Sequence, residues 1–223
     1  MNHSQSAKAQ ASSELALSKS VRRQALRALL ARRESETGRQ PSETFLAAAL
    51  TAGLSEFPGV WLAYRGFSSE VRLPEAPSNS VVLAYPVVED ATQMRFYRPV
   101  TAAVSGGSFL TDRHGIETPD LAGGGWQVVA AESDATVVGA LVPALGFDRM
   151  GGRLGRGRGY YDRFLSETDA NRKAQGLTPL LKIGIGFHEQ VVEELPCEKH
   201  DVKLDAVLTD REWITPVKGA ENE

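Results

Sequence analysis

The sequence predicts an α/β protein in which one sheet carries helices on both faces, giving three layers. Three runs are almost wholly apolar, at 81–84, 137–142 and 181–185, and such runs are typical of parallel strands that are covered on both faces. Helix-like segments separate the strand-like runs, and this alternation is typical of layered α/β folds. The 223 residues contain no internal repeat and suffice for one domain with a full core.

Two helices are predicted ahead of the first strand. Residues 1–14 are rich in Ser, Gln and Ala, a composition that favours a disordered tail. Apolar residues then recur at helical spacing from Leu17 onward, with Ser18 as the expected N-cap. The second helix is expected to open after Pro41 and to end at Gly53, because glycine favours the C-terminus of a helix.

Seven short runs follow that are rich in β-branched and aromatic residues, and each predicts a strand. They are VWLAY (60–64), VVLAYPVV (81–88), MRFYRP (94–99), WQVVAA (126–131), ATVVGALVP (135–143), LKIGIGF (181–187) and DAVLTD (205–210). Two further helices are predicted at 161–175 and 191–195. We therefore expect a single domain at residues 15–214, followed by a frayed polar tail at 215–223.

Composition and charge exclude several classes of protein. Hydrophobic residues make up 42% and charged residues 24% of the chain, which excludes collagen, coiled coil and wholesale disorder. The net charge of -3 disfavours a protein that coats nucleic acid, and no apolar run reaches the roughly 18 residues that span a bilayer. The one cysteine, Cys197, allows no internal disulfide and is typical of a reducing compartment. We expect a cytoplasmic monomer that has neither nucleic acid nor membrane as a partner.

The most informative segment is LVPALGFDRMGGRLGRGRGYYDRFL, residues 141–165. A buried strand ends at Pro143, and a helix begins at YYDRFL after a loop that is dense in glycine and arginine. The loop residues of these two types are Arg149, Gly151, Gly152, Arg153, Gly155, Arg156, Gly157, Arg158 and Gly159. Backbone N–H groups and the helix dipole converge there, and guanidinium groups suit phosphate oxygens. The spacing fits neither a Walker A loop nor the dinucleotide motif, so a flexible surface loop and an RNA-binding RGRG segment remain alternatives.

The run FDRMGGRLGRGRGYYDRFL resembles the signature of the 5-formyltetrahydrofolate cyclo-ligases, also called methenyltetrahydrofolate synthetases. The runs KSVRRQALRALLARR, GFSSEV, VVLAYPVV and IGIGFHEQVVEELPCEKHDVKLDAVLTD stand in that family's order, so the resemblance covers about residues 19–210. It implies a sheet similar to the sugar-isomerase and CoA-transferase-like fold. It also implies the ATP-dependent ring closure of 5-formyltetrahydrofolate to 5,10-methenyltetrahydrofolate, with release of ADP and phosphate.

By this resemblance, the loop wraps the ATP phosphates, and Arg156 and Arg158 act as catalytic residues on the transferred phosphoryl group. Lys19 and Arg23 match the family's basic pair, and because they lie four residues apart on a helix they share one face. A solvated helix face is the alternative for this pair. The full set of ATP-binding residues that the resemblance implies is Lys19, Arg23, Arg153, Leu154, Gly155, Arg156, Gly157, Arg158, Gly159, Tyr160 and Tyr161.

The resemblance implies Mg²⁺ as the cofactor, at positions that Asp162 and Asp201 match. Magnesium commonly uses one or two carboxylates and completes its octahedron with phosphates and water. Asp162 could instead simply face the dipole at a helix N-terminus. Asp201 could be a surface acid, and Asp205 is an alternative to it as the second metal position.

The folate substrate is implied to contact Glu70, Arg65, Arg156 and Tyr160. A carboxylate such as that of Glu70 can pair with the donor edge of a pterin or steer the folate N10. An ordinary solvated glutamate is the alternative. Tyr160 and Tyr161 could stack on a flat ring or pack one face of the helix, and the second arrangement is common.

One segment departs from the family pattern. The family often has F-G-I-x-E-P where this chain reads HGIETP at 114–119. His114 replaces the phenylalanine, Thr118 stands at the glutamate position, and Glu117 comes one residue early. A paralogue that acts on another formamide substrate therefore stays open, as does a relative that binds folate or nucleotide without catalysis.

Overall fold

A computed structural model describes residues 2–37, 42–67, 69–76, 78, 80–100, 107–111, 115–198 and 200–216. Its helices over these ranges are α1 (Asn2–Thr37), α2 (Ser42–Glu56), α3 (Tyr160–Ala174) and the short 3-10 helix His188–Gln190. Its strands are β1 (Gly59–Leu62), β2 (Val81–Val88), β3 (Met94–Pro99), β4 (Phe109–Thr111), β5 (Glu117–Pro119), β6 (Trp126–Val129), β7 (Val137–Pro143), β8 (Gly146–Asp148), β9 (Arg153–Leu154), β10 (Leu181–Ile185), β11 (Val191–Val192), β12 (Ala206–Leu208) and β13 (Trp213–Ile214).

Eight of these strands form the central sheet, in the order β13-β12-β10-β7-β1-β2-β3-β6. The five strands from β12 to β2 run parallel, whereas β13, β3 and β6 join antiparallel. Because parallel strands end at the same edge, the loops that follow β1, β7, β10 and β12 emerge together. Ligands of open α/β sheets bind at this carboxyl edge.

Helices cover both faces of the sheet, which confirms the predicted three layers. Successive residues of a strand point to opposite faces, and β1 shows how both become buried. Trp61 packs in a cluster with Leu26 of α1 and Leu50 of α2, whereas Leu62 packs with Leu165 of α3 on the other face. Each such fully buried side chain contributes about 2 kcal/mol through the hydrophobic effect.

The first two helices extend beyond their predicted ends. Helix α1 begins at Asn2, so residues 2–14, which the sequence predicts as a disordered tail, are helical. The segment lacks glycine and proline and is rich in good helix formers. Helix α2 continues past Gly53 to Glu56, since one glycine within a helix costs only about 1 kcal/mol. Although α1 has 36 residues, no helix in the described ranges is both long and apolar enough to cross a membrane.

All seven predicted strands are present, and β2 and β3 have the predicted bounds. The prediction of a helix at 191–195 is wrong, because Val191 and Val192 form β11 and pair in parallel with β8. Adjacent β-branched residues favour extended backbone. The six strands that the sequence did not predict have two or three residues each. Most of the predicted frayed tail, from residue 217 on, lies outside the described residues.

Candidate functional site at the carboxyl edge of the sheet

The glycine–arginine loop, residues 149–159, follows β7 and β8 at the carboxyl edge of the sheet. The buried carboxylate of Asp148 anchors its first turn by accepting the backbone N–H groups of Met150 at 2.9 Å and Gly152 at 2.7 Å. It also accepts the N–H of Leu195 at 3.2 Å, which ties the loop to the chain after β11. The Asp148 carboxylate therefore accepts three backbone N–H groups, and the turn depends on it.

Two glycines give the second half of the loop its path into α3. Gly157 and Gly159 have φ of 101° and 67°, a left-handed region that favours glycine. Gly159 is the N-cap of α3 and, lacking a side chain, gives the helix no side-chain cap. The first N–H groups of a helix have no partner within it and carry partial positive charge. The loop thus leads to a helix N-terminus suited to an anion.

Helix α1 holds this loop from the other side with side chains four residues apart. Arg23 donates from Nε to the carbonyl oxygen of Gly155 at 3.0 Å, and Arg27 donates from Nη2 to the carbonyl oxygen of Arg156 at 3.4 Å. The sequence assigns no role to Arg27, although its helical spacing from Arg23 places it on the same face.

Lys19, on the same face of α1, contacts two carboxylates. Its Nζ lies 2.7 Å from Asp201 Oδ2 and also pairs with Glu198, and its side chain is only 7% exposed. Burial by itself would raise the pKa of the Asp201 carboxyl. The hydrogen bonds from Lys19 and from the Glu198 N–H outweigh this effect, so the pKa of Asp201 is lowered. Lys19, a predicted ATP ligand, is therefore paired with Asp201, a predicted metal ligand. Glu198 joins this pair, and no motif in the sequence indicated that it would.

Asp162 makes a similar arrangement in the first turn of α3. Its Oδ1 accepts Arg153 Nη2 at 2.6 Å and the N–H of Val202 at 3.2 Å. Val202 follows Asp201 directly, so the two predicted metal carboxylates lie on neighbouring segments. Burial lowers the pKa of Arg153, and the negative charge of Asp162 opposes this lowering.

These carboxylates fit a hard divalent cation. In the described residues, Asp162 Oδ2 and Asp201 Oδ1 accept no hydrogen bond, so each side chain keeps one oxygen for a ligand. Glu198, His200 and Asp201 also bring their ligand atoms within 4.8 Å of one another. One or two carboxylates are the usual protein contribution to a Mg²⁺ site that phosphates complete.

Asp205 is in a different place. It accepts the backbone N–H of Lys182 at 2.9 Å, at the start of β10, and Lys182 in turn pairs with Asp169 in the second half of α3 at 2.7 Å. Asp205 therefore lies towards the opposite end of α3 from Asp162. The geometry favours Asp201 over Asp205 as the second metal position.

Glu70 and Arg156 form a two-pronged ion pair. Arg156 donates to Glu70 Oε1 from Nε at 3.1 Å and from Nη2 at 3.0 Å. The Phe67 ring lies against the guanidinium, with Cζ 3.6 Å from the ring centroid, and the Phe67 N–H donates to Glu70 Oε2 at 3.0 Å. Burial raises the pKa of Glu70, and Arg156 opposes that rise. Phe67 was not predicted, because no local pattern distinguishes it from a packing aromatic.

A cavity of about 420 Å³ opens beside this pair. Its walls include Tyr64, Phe67 and Glu70 from the loop after β1, together with Tyr85 and Phe187. Its volume falls in the usual range for small-molecule sites, which combine aromatic walls with a few polar groups. Glu70 therefore belongs both to the cavity wall and to the contact with the glycine–arginine loop.

Arg65 lies on the cavity wall, as its predicted role in substrate binding requires, and Glu117 is its partner. Arg65 Nη1 lies 2.9 Å from Glu117 Oε2, and its guanidinium stacks 4.0 Å from the Phe109 ring centroid. Glu117 also lines the cavity, so the segment that departs from the family pattern supplies a carboxylate there. Thr118 is the next residue of β5 and points to the other face; His114 lies outside the described residues.

Three other predicted residues have contacts away from the cavity. Arg158 is exposed, and its carbonyl oxygen accepts Arg163 at 3.0 Å. The Tyr160 hydroxyl donates to the carbonyl of Asp90 at 3.2 Å. The Leu154 side chain is buried in the core, so only its backbone is available to a ligand.

Tyr161 is half-buried, and its hydroxyl is shielded from solvent near Glu70. Its hydroxyl has no hydrogen-bond partner in the part of the chain that the structure describes. Burial and the nearby Glu70 carboxylate raise its pKa. It is therefore a neutral donor within the site at physiological pH.

The chain is similar to known proteins over this same region. The sequence pattern of the 5-formyltetrahydrofolate cyclo-ligase family matches residues 70–210. A 5-formyltetrahydrofolate cyclo-ligase of Mycolicibacterium smegmatis is 30% identical over 150 residues, covering 67% of this chain and 64% of the relative. The mouse 5-formyltetrahydrofolate cyclo-ligase is 40% identical over 67 residues, covering 30% of this chain and 31% of the relative. The matches thus span less than two thirds of these relatives.

Solved structures extend the similarity to nearly the whole fold. The 5,10-methenyltetrahydrofolate synthetase of Aquifex aeolicus has a TM-score of 0.65 and 25% identity, covering 92% of this chain and 96% of that one. The synthetase of Mycoplasma pneumoniae, at 22% identity and a TM-score of 0.60, shares the fold, covering 85% of this chain and 99% of that one. The family pattern takes in Glu70, the glycine–arginine loop, Asp162 and Asp201. The chain belongs to the 5-formyltetrahydrofolate cyclo-ligase family.

Proposed function

We propose that this protein converts 5-formyltetrahydrofolate to 5,10-methenyltetrahydrofolate with consumption of ATP. The observation that carries the proposal is the Glu70–Arg156 contact, which joins the glycine–arginine loop to the cavity. An anion-binding loop beside a cavity for a flat, polar molecule suits a reaction between a nucleotide and a heterocycle. Membership of the family supports the same reaction.

The reaction needs activation because a formamide oxygen is a poor leaving group. In the proposed sequence the formyl oxygen attacks the γ-phosphorus of ATP, and ADP leaves. The folate N10 then attacks the formyl carbon, N10 loses its proton, and phosphate departs with the former formyl oxygen. The protein supplies position and charge stabilisation rather than covalent chemistry.

The glycine–arginine loop and α1 would hold the ATP phosphates. The loop leads to the backbone N–H groups at the start of α3 and contains the predicted ligand Arg153. Arg23 donates to the loop from α1, and Lys19 lies on the same face of α1 as Arg23. Arg156 and Arg158 would stabilise the charge that develops on the transferred group, an effect that often supplies the largest part of catalysis. The exposed Arg158 side chain has to turn towards the phosphates for this role.

Asp162 and Asp201 would hold a Mg²⁺ ion. When bound, the ion would neutralise phosphate charge. For its predicted role in ATP binding, Lys19, which pairs with Asp201 and Glu198 in the structure, would exchange Asp201 for a phosphate oxygen. Within the described residues, each aspartate has a second oxygen that accepts no hydrogen bond, and this supports the assignment.

Glu70 would orient the folate in the cavity. A carboxylate that is nearly buried accepts hydrogen bonds strongly, and N10–H of the folate is a donor that must be aimed at the formyl carbon. Arg65 and Glu117 would meet the polar edge of the substrate, while the aromatic walls take its flat faces. We further propose that the protein acts as a cytoplasmic monomer, without nucleic acid or membrane as a partner. Its single cysteine supports a reducing compartment, and its net charge of -3 disfavours nucleic acid as a partner.

The test is to mix the purified protein with 5-formyltetrahydrofolate, ATP and Mg²⁺ and to follow the near-ultraviolet band of the methenyl product. We expect product to form only when both substrates and the cation are present, with one ADP released per product. Binding of both substrates without product would favour the non-catalytic alternative. Turnover of a different formamide, with none of 5-formyltetrahydrofolate, would favour the paralogue.

A further inference from the structure

In the proposed reaction Glu70 orients the folate and Arg156 stabilises the transferred phosphoryl group, yet in the structure the two side chains bind each other. Arg156 donates from Nε and Nη2 to Glu70 Oε1, and its Nη2 also lies 3.5 Å from Ser69 Oγ. The carboxylate accepts Arg156 through Oε1 and the Phe67 N–H through Oε2. While the pair stays closed, Arg156 Nε and Nη2 cannot bind a phosphate, and Glu70 Oε1, which already accepts two hydrogen bonds, cannot accept another from folate.

Phe67 holds both members of the pair in place. Its ring stacks on the guanidinium at 3.6 Å, and its backbone N–H donates to the carboxylate at 3.0 Å. A guanidinium over an aromatic face is stabilised by the ring quadrupole. The closed pair is therefore a defined state with several contacts, rather than a chance approach of two surface charges, and opening it has a cost.

We propose that the Arg156–Glu70 pair couples the nucleotide and folate subsites, so that each substrate increases the affinity of the site for the other. This inference rests on the proposed function. Whichever substrate binds first bears the cost of opening the pair, and the second then meets a partner that is already free. Such coupling is reciprocal, since nucleotide must favour folate by the same factor as folate favours nucleotide.

The coupling has a consequence that a purely folate-binding Glu70 would not have. In Glu70→Gln, the neutral side chain keeps its shape but holds Arg156 weakly. Arg156 is then free for phosphate from the start, so the variant should bind nucleotide alone more tightly than wild type. A glutamate that only contacts folate would leave the affinity for nucleotide alone unchanged.

A matched control separates this local effect from the loss of one negative charge. Glu89 forms an exposed ion pair with Arg95, with Oε2 3.3 Å from Nε, and neither residue belongs to the glycine–arginine loop or lines the cavity. Glu89→Gln removes the same charge from another arginine ion pair. It should leave nucleotide affinity as in wild type.

The experiment is calorimetric titration of the full chain with Mg²⁺ and an ATP analogue whose β–γ bridge is an imido group, with and without saturating 5-formyltetrahydrofolate. For wild type, we expect folate to lower the Kd of the analogue by about tenfold, within the usual range of coupling between two sites. For Glu70→Gln, we expect the Kd without folate to fall by about tenfold and the effect of folate to vanish.

Two outcomes would overturn the coupling while leaving the proposed function intact. One is a wild-type Kd that folate does not change although both ligands bind. The other is a folded Glu70→Gln variant whose affinity for the analogue alone equals that of Glu89→Gln. Failure of wild type to bind the analogue at all would overturn the proposed function and the coupling together, and the wild-type measurements decide the matter even if the variant does not fold.

Discussion

At the scale of single residues, the negative charge of the nearly buried Glu70 carboxylate is only partly compensated by its surroundings. Burial raises its pKa above the ordinary 4.5, and Arg156 with the Phe67 N–H recovers only part of that rise. The folded protein therefore binds the Glu70 proton more tightly than the unfolded chain does. Its contribution to stability is complete below the ordinary pKa and is lost as pH rises through the raised one.

Glu70→Gln should escape this loss. Its melting temperature, relative to wild type, should rise as the pH goes from about 4 to about 7, because only wild type has to keep a charge there. Thermal melts across this range, with Glu89→Gln in parallel, give the comparison. A difference between Glu70→Gln and wild type that stays constant with pH would show that Glu70 titrates as it does in the unfolded chain.

Arg156→Ala should damage both chemistry and stability, for separable reasons. Loss of a donor to the transferred phosphoryl group costs on the order of a hundredfold in turnover at saturating ATP. The variant also leaves the nearly buried Glu70 without its partner, at about 1–2 kcal/mol of the free energy of unfolding.

The double variant Arg156→Ala/Glu70→Gln separates these effects. Because the two side chains are in contact, their effects on stability should not add, so the second change should restore the melt but not the turnover. Full turnover of Arg156→Ala at saturating ATP would remove Arg156 from the catalytic residues. A double variant less stable than Arg156→Ala would show that the pair does not carry the stability cost.

At the scale of elements, the predictions were correct where the local sequence alone determines the secondary structure of a segment. β2 and β7 are long apolar runs and would be strands in almost any sheet that covers both faces. β11 consists of two residues and exists because β8 lies beside it. The sequence around 191–195 has no signal that outweighs its helix-like composition, so only the tertiary pairing corrects the prediction.

The turn that starts the glycine–arginine loop offers a test of an element. Asp148→Asn replaces one acceptor oxygen by an NH₂ group, which is a donor. That group would face backbone N–H groups that donate to Asp148 in the wild type. An unsatisfied buried group costs about 1–3 kcal/mol, and we expect the melting temperature to fall by roughly 2–10 °C. Asp120→Asn, in an exposed turn where Asp120 accepts the Gly123 N–H at 3.0 Å, should change the melt little. Equal losses in both variants would contradict the anchoring role of Asp148.

At the scale of the whole molecule, the site combines segments that are far apart in the chain. Family resemblance indicated Lys19, Glu70, Arg156 and Asp201, and the parallel strand order explains why loops after different strands can meet at one edge. The pairings themselves, Lys19 with Asp201 and Glu70 with Arg156, could not be predicted. Each depends on the docking of α1 or of the loop after β1, and the sequence of neither segment specifies that docking.

The metal assignment can be tested across the molecule by comparing aspartates. Asp162→Asn and Asp201→Asn should each raise the Mg²⁺ concentration needed for half-maximal turnover, because each removes a charged oxygen ligand. Asp205→Asn should not, since Asp205 lies at the start of β10 with Lys182. A larger Mg²⁺ requirement in Asp205→Asn than in Asp201→Asn would reverse the assignment, and turnover that persists in excess chelator would remove the cation altogether.

In the proposed reaction ATP phosphorylates the formyl oxygen in a site shared by the glycine–arginine loop and the cavity. The most direct measurement uses 5-formyltetrahydrofolate that carries a heavy-oxygen label in the formyl group, with ATP and Mg²⁺, and analyses the released phosphate by mass spectrometry. We expect one labelled oxygen in each phosphate that accompanies a methenyl product. Unlabelled phosphate, with the label recovered in water, would contradict the proposed reaction, because ATP would then be hydrolysed without ever joining the formyl oxygen.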